Sequence, residues 1–182
     1  MRALLVIDVQ NEYFSGKLPV VYPAGSMDNI LLAMDTAAAT NIPVVVIQHS
    51  APAADAPVFC KGSLEWQLHP QIASRPCDVV IEKKWPDSFC QTALDGWLRG
   101  KGVDTLTICG YMTQMCCDTT ARRACHLGYR VEFLADATGT LAFTNAAGSI
   151  SAEELHRAIL VVQQSRFSSV LATSDWIDRL AR

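Results

Sequence analysis

The sequence predicts an α/β fold of three layers, in which a mostly parallel six-stranded sheet is covered by helices on both faces. Two observations carry this expectation. Short runs rich in Val, Ile and Leu alternate along the chain with longer stretches of helical periodicity. The runs are apolar at successive positions rather than at every second one, so both faces of the sheet must be covered, as in a parallel sheet. Composition agrees, since 50% of the 182 residues are hydrophobic and 18% are charged. That balance supplies a real core and excludes a disordered chain. The length fits one domain spanning residues 1–182.

Taken in order, the first strand is expected at residues 3–8, an apolar run that stops at Asp8, and a helix follows at 28–40. The second strand, 43–48, leads into an irregular excursion over 50–76 that carries Pro52, Pro57, Gly62 and Pro70. Excursions of that length in compact domains tend to be functional. A third strand at 79–83, a helix at 89–99 and a fourth strand at 105–109 come next, with Gly102 placed as a left-handed helix cap. A helix at 114–127 ends at a second such glycine, Gly128, before the fifth strand at 130–134. A second excursion over 136–150 precedes a helix at 151–163, where Ser151 and Glu154 have the spacing of a capping box. The sixth strand at 168–172 and a helix at 174–180 complete the chain.

A formal charge of −3 without a cluster of Lys and Arg argues against a nucleic-acid surface or a polybasic membrane patch. The expected partner is a small molecule. The short apolar run at the N-terminus meets an acid with no cleavage site behind it, and no run reaches the roughly 18 to 20 apolar residues of a membrane span. A cytoplasmic protein is therefore expected. The seven cysteines, an odd number at irregular spacing, read as free thiols.

In an open parallel sheet, ligands bind beyond the carboxyl ends of the strands. Those ends carry Asp8, His49, Lys83 with Lys84, the segment from Gly110 to Cys117, and Asp136. Cys116 and Cys117 fall just inside a helix, where the dipole and free N–H groups would lower a thiol's pKa; the alternative is that both are small packing residues. Their side chains point about 100° apart, so only one can serve chemistry. Asp8 is either a loop cap or a general base for such a thiol. Lys83 is either solvated or a stabiliser of the thiolate. His126 and His156 fall on expected helices and read as surface or packing residues. His49 and His69 are placed to touch substrate, and Trp66 is either a pocket wall or a loop anchor. Tyr13, Phe14, Trp66, Trp85, Tyr111 and Met112 suggest an apolar, partly aromatic pocket. No His-x-x-x-His, Asp-x-His, Gly-x-Gly-x-x-Gly, Walker or serine-elbow pattern occurs, so neither a metal nor a cofactor is expected.

Three segments together resemble the isochorismatase-like cysteine hydrolases, the family of nicotinamidases, N-carbamoylsarcosine amidohydrolases and isochorismatase. They are Leu4-Leu5-Val6-Ile7-Asp8-Val9-Gln10-Asn11, Ile81-Glu82-Lys83-Lys84-Trp85-Pro86-Asp87-Ser88-Phe89, and Gly110-Tyr111-Met112-Thr113-Gln114-Met115-Cys116-Cys117. The resemblance implies a Rossmann-like hydrolase fold and a homo-oligomer. It also implies an Asp8, Lys83 and Cys116 triad, with Lys83 chosen over Lys84 because it stands six residues before Phe89. It further implies a cis Tyr111–Met112 peptide, an oxyanion hole from the N–H groups of Met112 and Cys116, and substrate contacts from Gln10, Phe14, Trp66 and Tyr111. Asp8 would take the Cys116 proton, Lys83 would favour the thiolate, and an amide, imide or ureido C–N bond would be cleaved through a thioester. Where family nicotinamidases carry a metal-binding Asp-x-His, this chain has Gln48-His49-Ser50-Ala51. Two alternatives stay open: vinyl-ether hydrolysis of the isochorismatase type, and a non-catalytic binding or assembly module.

Overall fold

The computed structural model describes residues 1–181. Its elements run β1 (Arg2–Ile7), α1 (Ser26–Ala39), β2 (Val44–His49), α2 (Pro70–Ala73), β3 (Val79–Lys83), α3 (Leu94–Gly100), β4 (Thr105–Tyr111), α4 (Asp118–His126), β5 (Arg130–Gly139), β6 (Phe143–Asn145), β7 (Gly148–Ile150), α5 (Ala152–Val162), β8 (Ser169–Leu171) and α6 (Thr173–Leu180). Six strands form one sheet in the order β3-β2-β1-β4-β5-β8. Every pairing in it is parallel. The six expected strands are all present, and the three-layer arrangement holds.

Alternation along each strand builds two apolar layers. Leu4, Val6, Val44, Val46 and Cys109 face Ile30, Met34 and Ala37 of α1 and Trp176 of α6. Leu5, Ile7, Val45, Ile47, Leu106 and Ile108 face Leu94 and Leu98 of α3 and Ala121 and Ala124 of α4. Each such aliphatic side chain contributes about 1.5–3 kcal/mol when fully buried. The central strands β1 and β4 are therefore a rigid platform for whatever their ends carry. One buried acid lies within the first layer. Glu132 of β5 accepts two bonds of 2.8 Å from Arg2, one of 2.7 Å from Thr107 and one of 3.1 Å from the Trp176 indole. It thereby ties β1, β4 and α6 to β5.

Four local expectations change. The helix expected from residue 114 opens instead as a π turn over Thr113–Cys117 and becomes α-helical only at Asp118. The Cys117 N–H reaches back to the Met112 carbonyl at 3.3 Å, the wide bond of a π turn. The helix expected from residue 89 begins at Leu94, because Gln91 adopts φ 57° and the Thr92 hydroxyl is turned to the Ser88 carbonyl at 2.6 Å. β5 runs on to Gly139: pairing with β4 breaks after Phe133 and resumes at Thr138, so a bulge absorbs the residues between. Asp136 thus lies within a strand and not past its end, and its carboxylate caps α6 by accepting from the Thr173 N–H and hydroxyl at 2.8 and 2.7 Å. The second excursion also holds an antiparallel hairpin, β6 with β7. The first excursion is irregular apart from the single turn α2. Ser151 and Glu154 form the expected capping box, and no helix among the described residues is long and apolar enough to cross a membrane.

Candidate active site

The sheet order places β1 beside β4, where the connectivity reverses and a crevice must open beyond the strand ends. Gly110 permits the close approach. A Cβ there would stand 2.1 Å from the Ile7 carbonyl oxygen, and its φ of 114° is one that L side chains rarely adopt. Asp8, directly after β1, takes the left-handed φ of 53°, which turns its carboxylate off the strand line. Lys83 ends β3. Cys116 sits in the π turn after β4.

These three side chains meet. Lys83 Nζ stands 2.7 Å from Asp8 Oδ2 and donates to Cys116 Sγ at 3.2 Å. His49 Nδ1 lies 3.5 Å from the same ammonium. Three neighbours match the three N–H groups of a lysine. Asp8 is wholly buried, Lys83 is 1% exposed and Cys116 is 6% exposed. No hydrogen bond of good alignment reaches either Asp8 oxygen. The Asp8 contact with Lys83 is therefore ionic, and lone pairs stay free for a proton brought by sulfur or substrate. Lys84 is exposed, so the structure selects its neighbour.

Burial dominates the electrostatics. It pulls the Lys83 ammonium down, but the Asp8 carboxylate and the Cys116 sulfur outweigh it and hold the lysine above its ordinary value. The Cys116 thiol goes the other way. Burial pushes it far above the usual range, the Asp8 charge adds to the push, and Lys83 only partly offsets it. Desolvation thus outweighs the field of the turn and of Lys83, so the thiol lies above its ordinary value and not below it, as a helix N-terminus alone would place it. Burial lowers His49, the Asp8 charge pulls it back and Lys83 adds a smaller downward push, leaving it below the ordinary histidine value. Cys117 is fully buried among the apolar residues of the second layer, where burial drives its thiol up as well.

The remaining expected contacts divide. Phe14 is half-buried and stacks 4.4 Å from the His69 ring and 5.8 Å from the Tyr111 ring. Tyr111 is only 1% exposed, and its hydroxyl lies 3.1 Å from Ser26 Oγ, so its side chain belongs to the core beneath the site. Gln10 is wholly buried with its amide committed: Nε2 donates to the carbonyls of His49 at 2.9 Å and Trp66 at 2.6 Å, and Oε1 accepts from the His49 N–H at 2.8 Å. It fastens the end of β2 and the excursion over 50–76 to β1. The Trp66 indole donates to Ser50 Oγ at 2.7 Å, which anchors that excursion. The Tyr111–Met112 peptide is cis. The Met112 N–H donates to no acceptor among the described residues. Asp8, Cys116 and His49 are gathered around an ammonium, and among the described residues no group of three His, Cys, Asp or Glu side chains is arranged to hold a metal ion.

Tyr13, one of the expected pocket aromatics, is only 3% exposed and packs against Tyr111 and Phe59 at 5.5 and 5.2 Å, so its ring belongs to the core. Sequence reading missed the place of His156, which is 4% exposed and reaches the π turn from α5. Its spacing of four residues from buried Ala152 puts it on the inner face of that helix, a signal available in the sequence.

A parallel α/β domain that buries an acid, a lysine and a thiol together at the switch point of its sheet defines an enzyme site rather than a binding face. The chain belongs to the isochorismatase family of hydrolases: the family model for the isochorismatase domain matches residues 2–174. The isochorismatase family protein YddQ of Bacillus subtilis (strain 168), itself uncharacterised, is 31% identical over 176 residues, which is 96% of this chain and 98% of that protein. Nicotinamidase 3 of Arabidopsis thaliana is 30% identical over 173 residues, covering 88% of this chain and 79% of that one. An isochorismatase-type crystal structure from Burkholderia xenovorans LB400 superposes with a TM-score of 0.96 at 49% identity, over 99% of this chain and 87% of that one.

Proposed function

We propose that the chain is a cysteine hydrolase that cleaves the C–N bond of a small amide, imide or ureido compound through a thioester on Cys116. The observation that carries this is the meeting of a buried carboxylate, ammonium and thiol around Lys83 Nζ, at 2.7 Å from Asp8 Oδ2 and 3.2 Å from Cys116 Sγ. Uncompensated charges buried this deeply would cost several kcal/mol, and a packing role needs none of them.

Burial favours the thiol form of Cys116, and neither Asp8 oxygen receives an aligned hydrogen bond. Attack therefore couples S–C bond formation to transfer of the thiol proton onto Asp8. Lys83 stays charged and stabilises the sulfur as its electron density shifts. The carbonyl oxygen becomes an oxyanion that the N–H groups of Met112 and Cys116 would receive. Collapse breaks the C–N bond, and Asp8 returns its proton to the departing nitrogen. Water then attacks the thioester, gives a proton to Asp8 and releases the acid; that proton returns to the sulfur. Every proton is accounted for by one carboxylate, and no cofactor is required.

All seven cysteines are free, which supports a reducing compartment such as the cytoplasm. A small molecule is the partner that a closed, buried site of this kind admits. Association of identical chains remains part of the proposal, on the strength of the exposed apolar side chains of Val161, Val162 and Met115. The test is ammonia or amine release from a panel of small primary amides, cyclic imides and ureido acids. Cys116→Ala is expected to lower turnover by about 10³-fold or more; a Cys116→Ala protein that keeps wild-type turnover overturns the proposal.

A further inference from the structure

We propose that His156 is a positioning residue that holds the nucleophile turn in register through the Thr113 hydroxyl. The inference rests on Cys116 being the nucleophile. α5 lies outside the strand ends that make the site, yet it sends one buried polar side chain into the turn after β4. His156 Nε2 is 3.0 Å from the Ala135 carbonyl oxygen, and Nδ1 is 2.9 Å from Thr113 Oγ1.

The tautomer follows from the partners. A carbonyl oxygen only accepts, so Nε2 carries the proton. Nδ1 is then a lone pair, and it takes the Thr113 hydroxyl proton. Burial holds this imidazole below the ordinary histidine range, which keeps it in that neutral form at pH 7. The Tyr22 ring, 5.5 Å away and edge-on, closes the side of the imidazole. The capping box of Ser151 and Glu154 fixes where α5 starts and hence where His156 points.

What the relay holds matters more than its own energy. Ala135 lies in the bulge where β5 leaves its pairing with β4. Thr113 is wholly buried, opens the π turn and stands between Met112 and Cys116 in the chain. A rigid bulge on one strand is thus connected, by two directed bonds, to the turn that carries both the sulfur and the expected oxyanion donors. A purely packing role would be met by any ring of this size. A positioning role requires the bonds, and a shift of about 1 Å in the turn would break the 3.2 Å contact between Lys83 and the sulfur.

The experiment is iodoacetamide alkylation at pH 8 with peptide mass mapping, in which exposed Cys77 is the internal reference. Thr113→Val removes the hydroxyl at constant shape, Thr113→Ser keeps it, and His156→Phe keeps the ring without either bond. Thr113→Val and His156→Phe are each expected to slow Cys116 alkylation by about fivefold or more, because a sulfur moved off Lys83 loses thiolate. Thr113→Ser should stay within about twofold, and the doubly substituted Thr113→Val, His156→Phe protein should be no slower than the slower single variant. Cys77 should be unchanged throughout. Wild-type rates in Thr113→Val and His156→Phe overturn the proposal, as does an equal loss in Thr113→Ser or a parallel change at Cys77. Lys83→Ala, run alongside, separates the two levels. If it slows Cys116 while the His156 and Thr113 variants do not, only the positioning role fails; if it too leaves Cys116 unchanged, the nucleophile assignment fails with it.

Discussion

At the scale of single residues, the chemistry depends on how burial and charge divide between Lys83 and Cys116. Burial and the Asp8 charge push the thiol up and Lys83 opposes them, so removing the ammonium must raise the thiol further. Lys83→Ala is therefore expected to slow Cys116 alkylation at pH 8 to 9 by about tenfold or more, since each unit of pKa costs a factor of ten in thiolate below the midpoint. Measured rates against pH check it, and an unchanged profile would mean that the 3.2 Å contact does not act on the sulfur. Asp8 and the pairs Lys83–Lys84 and Cys116–Cys117 stood out because each places a polar or reactive group where an apolar run leaves the core, and the choice within each pair came from the resemblance to the isochorismatase-like hydrolases. Gln10 and Tyr111 were harder to place. Their partners, His49, Trp66 and Ser26, lie far along the chain, and nothing local shows that an amide or a hydroxyl is already committed. The upward push on the Cys116 thiol was out of reach for the same reason: burial belongs to the fold and not to the helix end on which the residue was placed.

At the scale of elements, six strands were legible because a parallel strand buried on both faces is a plain run of aliphatic residues. The π turn at Thr113–Cys117 was not, since its apolar positions fit an α-helical pattern nearly as well. The length of β5 was hidden by a bulge that only its pairing with β4 creates. The same strand carries a testable electrostatic element. Burial raises Glu132, but the bonds from Arg2 and Thr107 outweigh it, and the carboxyl ends below its ordinary value. A depressed folded-state pKa contributes stability that is present above the unfolded value of about 4.3 and is lost as pH falls through the folded one. Glu132→Gln should thus destabilise by about 2–4 kcal/mol at pH 7. The gap between variant and wild type should hold down to about pH 4 and narrow below it. Urea denaturation at pH 7 and pH 3 measures the difference, and a gap that widens on acidification would contradict the assignment.

At the scale of the whole molecule, one feature of topology assembles the site. Because β4 returns to the far side of β1, Asp8 and the turn bearing Cys116 end up together beyond neighbouring strand ends, and Lys83 reaches them from β3 across the end of β2. The alternation of strands and helices made that edge legible in advance, whereas the course of the excursion over 50–76 and the hairpin of β6 and β7 were not, because neither carries a periodic signal. Membership of the isochorismatase family agrees with the architecture, and the chemistry proposed for it requires an acyl group on sulfur. The most direct measurement is an acid quench during turnover of a panel amide, followed by peptide mass mapping. A mass increase equal to the acyl portion of the substrate, confined to the peptide carrying Cys116 and absent from Cys116→Ala, is the expected result. Full turnover in Cys116→Ala would contradict the account, and so would an adduct carried by any other cysteine.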